Sequence, residues 1–259
     1  TPVNGITVDF LASGEVELRG LQDDYKVEYD AASHERLKVT GVQGKFDIGG
    51  IGVETAGTQS AFVGQQIVIE DDGPTAAIVQ GAPVVAHDET AGVQADANDT
   101  TAAGVVALFA GVANVSTDLS PTGYAQNASP VVSSTGSSFG TDLGGTTAFS
   151  LAVSAAGVDS GLDTTNGTSI FLFKEGSLVV GRIGGAAGQA AFAVAINSTT
   201  GVVSVAQYAS LFHPNATNPD DTVSITDSAL QAVVTVTDGD GDAATASTGI
   251  GDAVQFQDD

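Results

Sequence analysis

The chain contains no cysteine, no tryptophan and no methionine, and it has only 7 basic residues against 31 acidic ones. Without cysteine it can form neither disulfides nor thiolate metal centres. The formal net charge of −24 excludes nucleic acid as a partner, because binding phosphate requires Lys and Arg to displace counterions. An anionic membrane surface is disfavoured for the same reason. No apolar run reaches membrane-spanning length; Ala186 to Ile196 is too short and its side chains are too small. No secretory signal begins at Thr1, so export would use a signal already removed or one elsewhere in a longer chain.

What is present is strand and turn material. Hydrophobic residues make up 42% of the chain, enough for a packed core, and 33 glycines accompany many Ser, Thr, Ala, Val and Asp. The cations cluster. Arg19, Lys26, Arg36, Lys38 and Lys45 all fall in residues 1–72, leaving Lys174 and Arg182 for 73–259. That shift predicts two units, a small β unit over 1–72 and a full β-sandwich over 73–259. In the first unit, Gly5–Phe10, Glu15–Leu18, Tyr25–Tyr29 and Arg36–Val39 alternate with period two, and Gln66–Ile69 closes it with a more apolar strand.

Both units end alike, with a strand running into Asp-Asp: Glu70-Asp71-Asp72 before Gly73-Pro74, and Gln257-Asp258-Asp259. The repetition suggests one full repeat preceded by the tail of a related one. Within 73–259, strands are predicted at 77–79, 84–86, 148–153, 169–173, 178–182, 191–196, 202–205, 222–225, 232–237 and 253–256. A short helical turn is expected at 205–212, and a long polar loop over about 114–145. The fold class is therefore all-β: an antiparallel sandwich, Ig/cadherin-like or jelly-roll-like, with a smaller N-terminal β unit.

Two acidic constellations suggest calcium, the hard cation that oxygen-rich clusters recruit. Asp238-Gly239-Asp240-Gly241-Asp242 directly follows a predicted strand. Three carboxylates at alternate positions can converge where glycine lets the backbone turn tightly. It is not an EF-hand, because Ala243 and Gly249 stand where that loop needs Gly and Glu. An Asp-Gly hairpin turn that also binds calcium satisfies both readings. The second constellation joins Glu70, Asp71 and Asp72 of the linker to Asp88 and Glu89, with Asp96 and Asp99 nearby. A calcium ion shared there would stiffen the joint between units; without it the stretch is a solvated acidic linker.

Other motifs carry less. Gly49–Thr55 nearly matches a calcium-binding nonapeptide but has Glu54 where Asp is needed, and a β-roll needs stacked copies. Gly136-Ser137-Ser138-Phe139-Gly140 fits the hydrolase elbow pattern, yet no helical pattern follows it. His34, His87 and His213 lack metal-ligand spacing and read as surface or edge residues. No enzymatic activity is expected.

An ordered set of segments resembles the repeat domain of very large RTX-type, type I-secreted bacterial surface proteins. It comprises Asp71-Asp72-Gly73-Pro74, Asp88-Glu89-Thr90, Asp159-Ser160-Gly161-Leu162, Val180-Gly181-Arg182, Gln207-Tyr208, His213-Pro214, Asn218–Val223 and Val234–Asp242. The resemblance covers about 72–259. It implies a calcium-stabilised extender or adhesion module at the bacterial cell surface, in tandem with neighbouring repeats. Two alternatives stand beside it. One is a filament or surface-layer subunit, self-assembling by strand addition or calcium-bridged ends. The other is a glycan- or partner-binding module using the 114–145 loop, although aromatic residues for sugar stacking are only 6% of the chain.

Overall fold

The computed structural model describes residues 5–22, 25–28, 38–41, 50, 52–55, 59–62, 72–141, 144–215, 217–218 and 220–258. The chain divides into two compact units, Thr1–Ile69 and Glu70–Asp259. In the first, β1 (Thr7–Phe10) pairs antiparallel with β2 (Val16–Arg19). Gly14, at φ +88°, makes the turn possible, and the Leu11 N–H donates to the Glu15 carbonyl. A second hairpin joins β3 (Gly52–Thr55) and β4 (Gln59–Phe62), so the near-nonapeptide at 49–55 contributes a plain strand. The strands expected at 25–29 and 36–39 do not form at Tyr25–Glu28 or Lys38–Val39. Alternation alone does not make a strand, which also needs a neighbour for its backbone groups. Tyr29, Arg36, Leu37 and Gln66–Ile69 lie outside the described residues.

The second unit is a sandwich. One layer is a six-stranded antiparallel sheet in the order β10 (Val158–Asp163), β11 (Ser169–Glu175), β12 (Leu178–Ile183), β13 (Ala190–Ile196), β14 (Val203–Gln207), β7 (Gly123–Gln126). The facing layer consists of two three-stranded sheets. One runs β17 (Ala243–Gly249), β16 (Leu230–Thr237), β9 (Thr146–Val153). The other runs β15 (Thr222–Ser224), β18 (Val254–Gln257), β6 (Val85–Asp88). A small pair, β5 (Val79–Gln80) with β8 (Val132–Ser133), completes the strands. All named pairs are antiparallel except β18 with β6, which run parallel.

Period-two patterning builds the core between the layers. Along β16 buried and half-buried residues alternate strictly, and Ala232, Val234 and Val236 point inward. They meet Leu151 from β9, Leu172 from β11 and Phe192 from β13. The Phe192 and Phe256 rings pack at 5.2 Å between centroids, tilted by 47°. Gly181 is required opposite Phe192, because a Cβ there would lie 2.5 Å from the ring.

The six-stranded sheet also has an outer core. A short helix, α1 (Ala103–Leu108), lies over Val180, Ala190, Ala193, Ala195 and Ala206 with Val105 and Phe109 buried against them. The alanines leave room for the helix, and β13 is buried along almost its whole length. Arg182 anchors this side. Its guanidinium takes both Glu175 carboxylate oxygens at 2.8 and 2.7 Å, and its Nη1 donates to the Ala113 carbonyl at 3.0 Å.

Two expectations change. The helical turn expected at 205–212 is instead β14 and the irregular segment after it, while the helix forms at 103–108. The 114–145 stretch is not one long loop, since β7 and β8 lie within it. Among the described residues, no helix is long and apolar enough to cross a membrane. Truncation of Phe192 should be among the costliest single changes. Phe192→Ala is expected to lose about 3–5 kcal/mol in urea unfolding, whereas Thr245→Ala on an exposed edge should stay within about 0.5 kcal/mol.

Candidate cation site

Strand β16 ends at Thr237, which is paired to Thr146 on one side and Ala243 on the other. The chain must reverse within Asp238–Asp242 to start β17. Asp238 organises that reversal. Its N–H donates to the Asp242 carbonyl at 3.0 Å, and its Oδ1 accepts the N–H groups of Gly241 at 3.1 Å and Asp242 at 2.8 Å. Gly241 sits at φ +108°, which L side chains rarely adopt.

The turn brings all three aspartates together. One carboxylate oxygen from each of Asp238, Asp240 and Asp242 lies within 4.8 Å of the others. Asp240 and Asp242 are exposed, but Asp238 is only 5% exposed. Its Oδ2 is buried and has no hydrogen-bond partner. An unpaired buried carboxylate oxygen is costly, and a cation beside it would remove that cost. The donors are all oxygen, which suits a hard cation such as Ca²⁺ or Mg²⁺ rather than one that prefers nitrogen or sulfur. Three carboxylates leave room for backbone carbonyls and water to complete the six to eight ligands of calcium.

The second constellation is arranged differently. Glu70 and Asp71 lie outside the described residues. The Asp72 backbone lies against Gly140, where a Cβ would stand 2.3 Å from the Asp72 carbonyl oxygen. Asp88 and Glu89, read from sequence as linker ligands, are instead buried at the end of β6, 5% and 8% exposed. The parallel pairing of β18 with β6 sets Asp88 beside Gln257, and the Glu89 N–H donates to the Gln257 carbonyl at 3.2 Å. Among the described residues, neither belongs to a three-ligand group, nor does Asp72.

Their oxygens serve internal donors. Asp88 Oδ1 accepts the Thr90 N–H at 2.7 Å. Glu89 Oε1 accepts the Leu211 N–H at 2.8 Å and the Gln207 side-chain amide at 2.5 Å. Gln207, fully buried, also pairs its Oε1 with His87 Nδ1 at 2.8 Å. Asp99 receives the backbone N–H groups of Asp88 and Gln94, both at 3.2 Å. Burial pushes the Asp99 carboxyl up, while nearby His87 and those two N–H groups pull it down.

Sequence reading missed this network, and it took His87 and His213 for surface or edge residues. They are 3% and 9% exposed. A missing side chain makes the space for one of them: a Cβ on Gly123 would sit 1.7 Å from His87 Nε2. The hydrolase-like Ser138 is on an isolated bridge to Thr75, and its Oγ accepts the Gly140 N–H at 3.1 Å. No strand-to-helix elbow is formed there.

The second unit is thus an acidic β-sandwich with one oxygen-lined turn able to hold a cation. Residues 84–251 match a family described as a domain of unknown function, DUF5801, and the chain belongs to that family. No curated protein and no solved structure matches the chain.

Glu89→Ala should show that this carboxylate is structural. Each buried donor it abandons costs about 1–3 kcal/mol, and the loss in denaturant unfolding is expected to be equal in calcium and in EDTA.

Proposed function

We propose that this protein is a calcium-stabilised structural repeat of a large extracellular bacterial surface protein, working as an extender module beside similar units. The observation that carries the reading is the Asp238 Oδ2 atom, buried without a partner on a residue whose carboxylate groups with those of Asp240 and Asp242. A turn that needed only to reverse the chain would not require a second buried carboxylate oxygen facing no donor. The net charge of −24 supports the same reading, since bound divalent cations offset the self-repulsion that opposes compaction. The sandwich itself has a continuous packed core, as an extender requires. The smaller unit over residues 1–72 is read as the tail of a preceding module.

A ligand-binding role has one observation in its favour. A cleft of about 190 Å³ is lined by Glu89, Thr90, Ser120, Thr122 and Tyr124, among others. That is below the size that holds a drug-sized ligand, so it would admit one small group. A glycan array with calcium present separates the roles: the extender reading expects no saturable binding.

Calcium is expected to raise the melting temperature and EDTA to reverse the rise. At a calcium concentration one hundred times Kd the gain is about 2.7 kcal/mol. The double variant Asp240→Asn, Asp242→Asn keeps Asp238 to hold the turn. It should match the wild type in EDTA and lose the calcium response. A wild-type melting curve indifferent to both calcium and EDTA overturns the reading.

A further inference from the structure

His213 is the most unusual buried group in the second unit. Its side chain is 2% exposed, and neither ring nitrogen has a hydrogen-bond partner. Burying it costs free energy in either protonation state, and the charged state is tolerated only beside an opposite charge. The groups around it are acidic. Glu89 Oε1, from the segment after β6, lies 3.7 Å from Nε2. Asp258 follows β18 and Asp221 precedes β15, and the Asp258 N–H donates to the Asp221 carbonyl at 2.9 Å.

His213 belongs to a segment that crosses this end of the sandwich. Leu211 donates its N–H to Glu89 Oε1 at 2.8 Å, and the Phe212 N–H donates to the Asp163 carbonyl of β10 at 2.9 Å. At the far end, the Asn215 N–H donates to Asp221 Oδ2 at 2.9 Å. The segment therefore straps β10 to the ends of β6 and β18.

We propose that His213 is a buried imidazolium latch: its positive ring holds the 211–215 strap onto Glu89, Asp221 and Asp258, and the strap loosens as pH rises and the ring loses its proton. Burial pulls the imidazole down, but Glu89, Asp258 and the Asp221 carbonyl together outweigh it and hold it above its ordinary value. The linkage sign follows. A raised folded value stabilises fully below the unfolded value, about 6.5, and that stabilisation is lost as pH climbs through the folded value. Over that interval each pH unit raises the open population by at most about tenfold, and beyond it nothing further changes. The proposal does not rest on the cation reading of the 238–242 turn.

The test is an NMR titration of the imidazole resonances with calcium held saturating, beside amide exchange of 211–215 corrected for intrinsic rates. His213 is expected to titrate above the ordinary histidine value, and opening of the strap to rise over the same range. His213→Gln should abolish that pH dependence. A titration at or below the ordinary value overturns the proposal, as does an opening rate with the same pH dependence in His213→Gln. The wild-type titration decides the matter even where the variant does not fold.

Discussion

The middle of the six-stranded sheet has no wet side, and the rest of the second unit is arranged around that fact. Strands β12 and β13 bury Val179 and Phe192 toward one layer and Val180, Ala193 and Ala195 toward the other. Backbone groups there can be satisfied only by the ladder, so the neighbouring strands must keep register. The facing layer covers the inner face with β9, β16 and β18, and α1 covers the outer one. Small residues make the second contact possible. Bulky side chains at Ala190, Ala193 or Ala206 would push the helix away, and the outer face of a core sheet would be exposed.

Burial on this scale gives the acidic residues very different surroundings. Glu175 sits against Arg182, the half-buried end of a paired charge. Asp99, Glu89 and Asp88 are buried but receive N–H donors, so their charge is compensated locally. Asp238 differs, because only one of its two oxygens is matched. That asymmetry, rather than the number of acids, separates a candidate cation site from carboxylates that only fasten loops. It also explains why net charge was a poor guide to position: most clustered acids here solve a hydrogen-bonding problem.

Strands whose inward positions are large and apolar were readable in advance. Ala148–Val153, Ser169–Phe173, Leu178–Arg182 and Ala232–Thr237 each fall inside an observed strand. β17 was missed because Ala-Ala-Thr-Ala-Ser-Thr-Gly carries no apolar signal; it forms because β16 offers seven paired positions. β10 was missed because Asp159 and Gly161 interrupt its pattern, and the structure accommodates them with a register shift against β11. The helix was expected after β14 and formed before β7, since a few alanines and valines suit either state until packing selects one. Asp238, Asp240 and Asp242 were readable as a carboxylate cluster because their spacing is local. Glu89 was misread because its partners, Gln207 and Leu211, are more than a hundred residues away, and Asp88 because its strand pairs with distant Gln257.

By itself the sequence determined the all-β class, the change of character near residue 72, and an aspartate turn after a strand. Each follows from local chemistry: side-chain period, composition, and glycine between carboxylates. Only the tertiary structure decided which acids are buried, which histidines are interior, and which ends of the strands meet. The parallel pairing of β18 with β6 is the clearest case. It joins residues at opposite ends of the unit, and no local pattern encodes that meeting, because it is fixed by the common core both strands must cover.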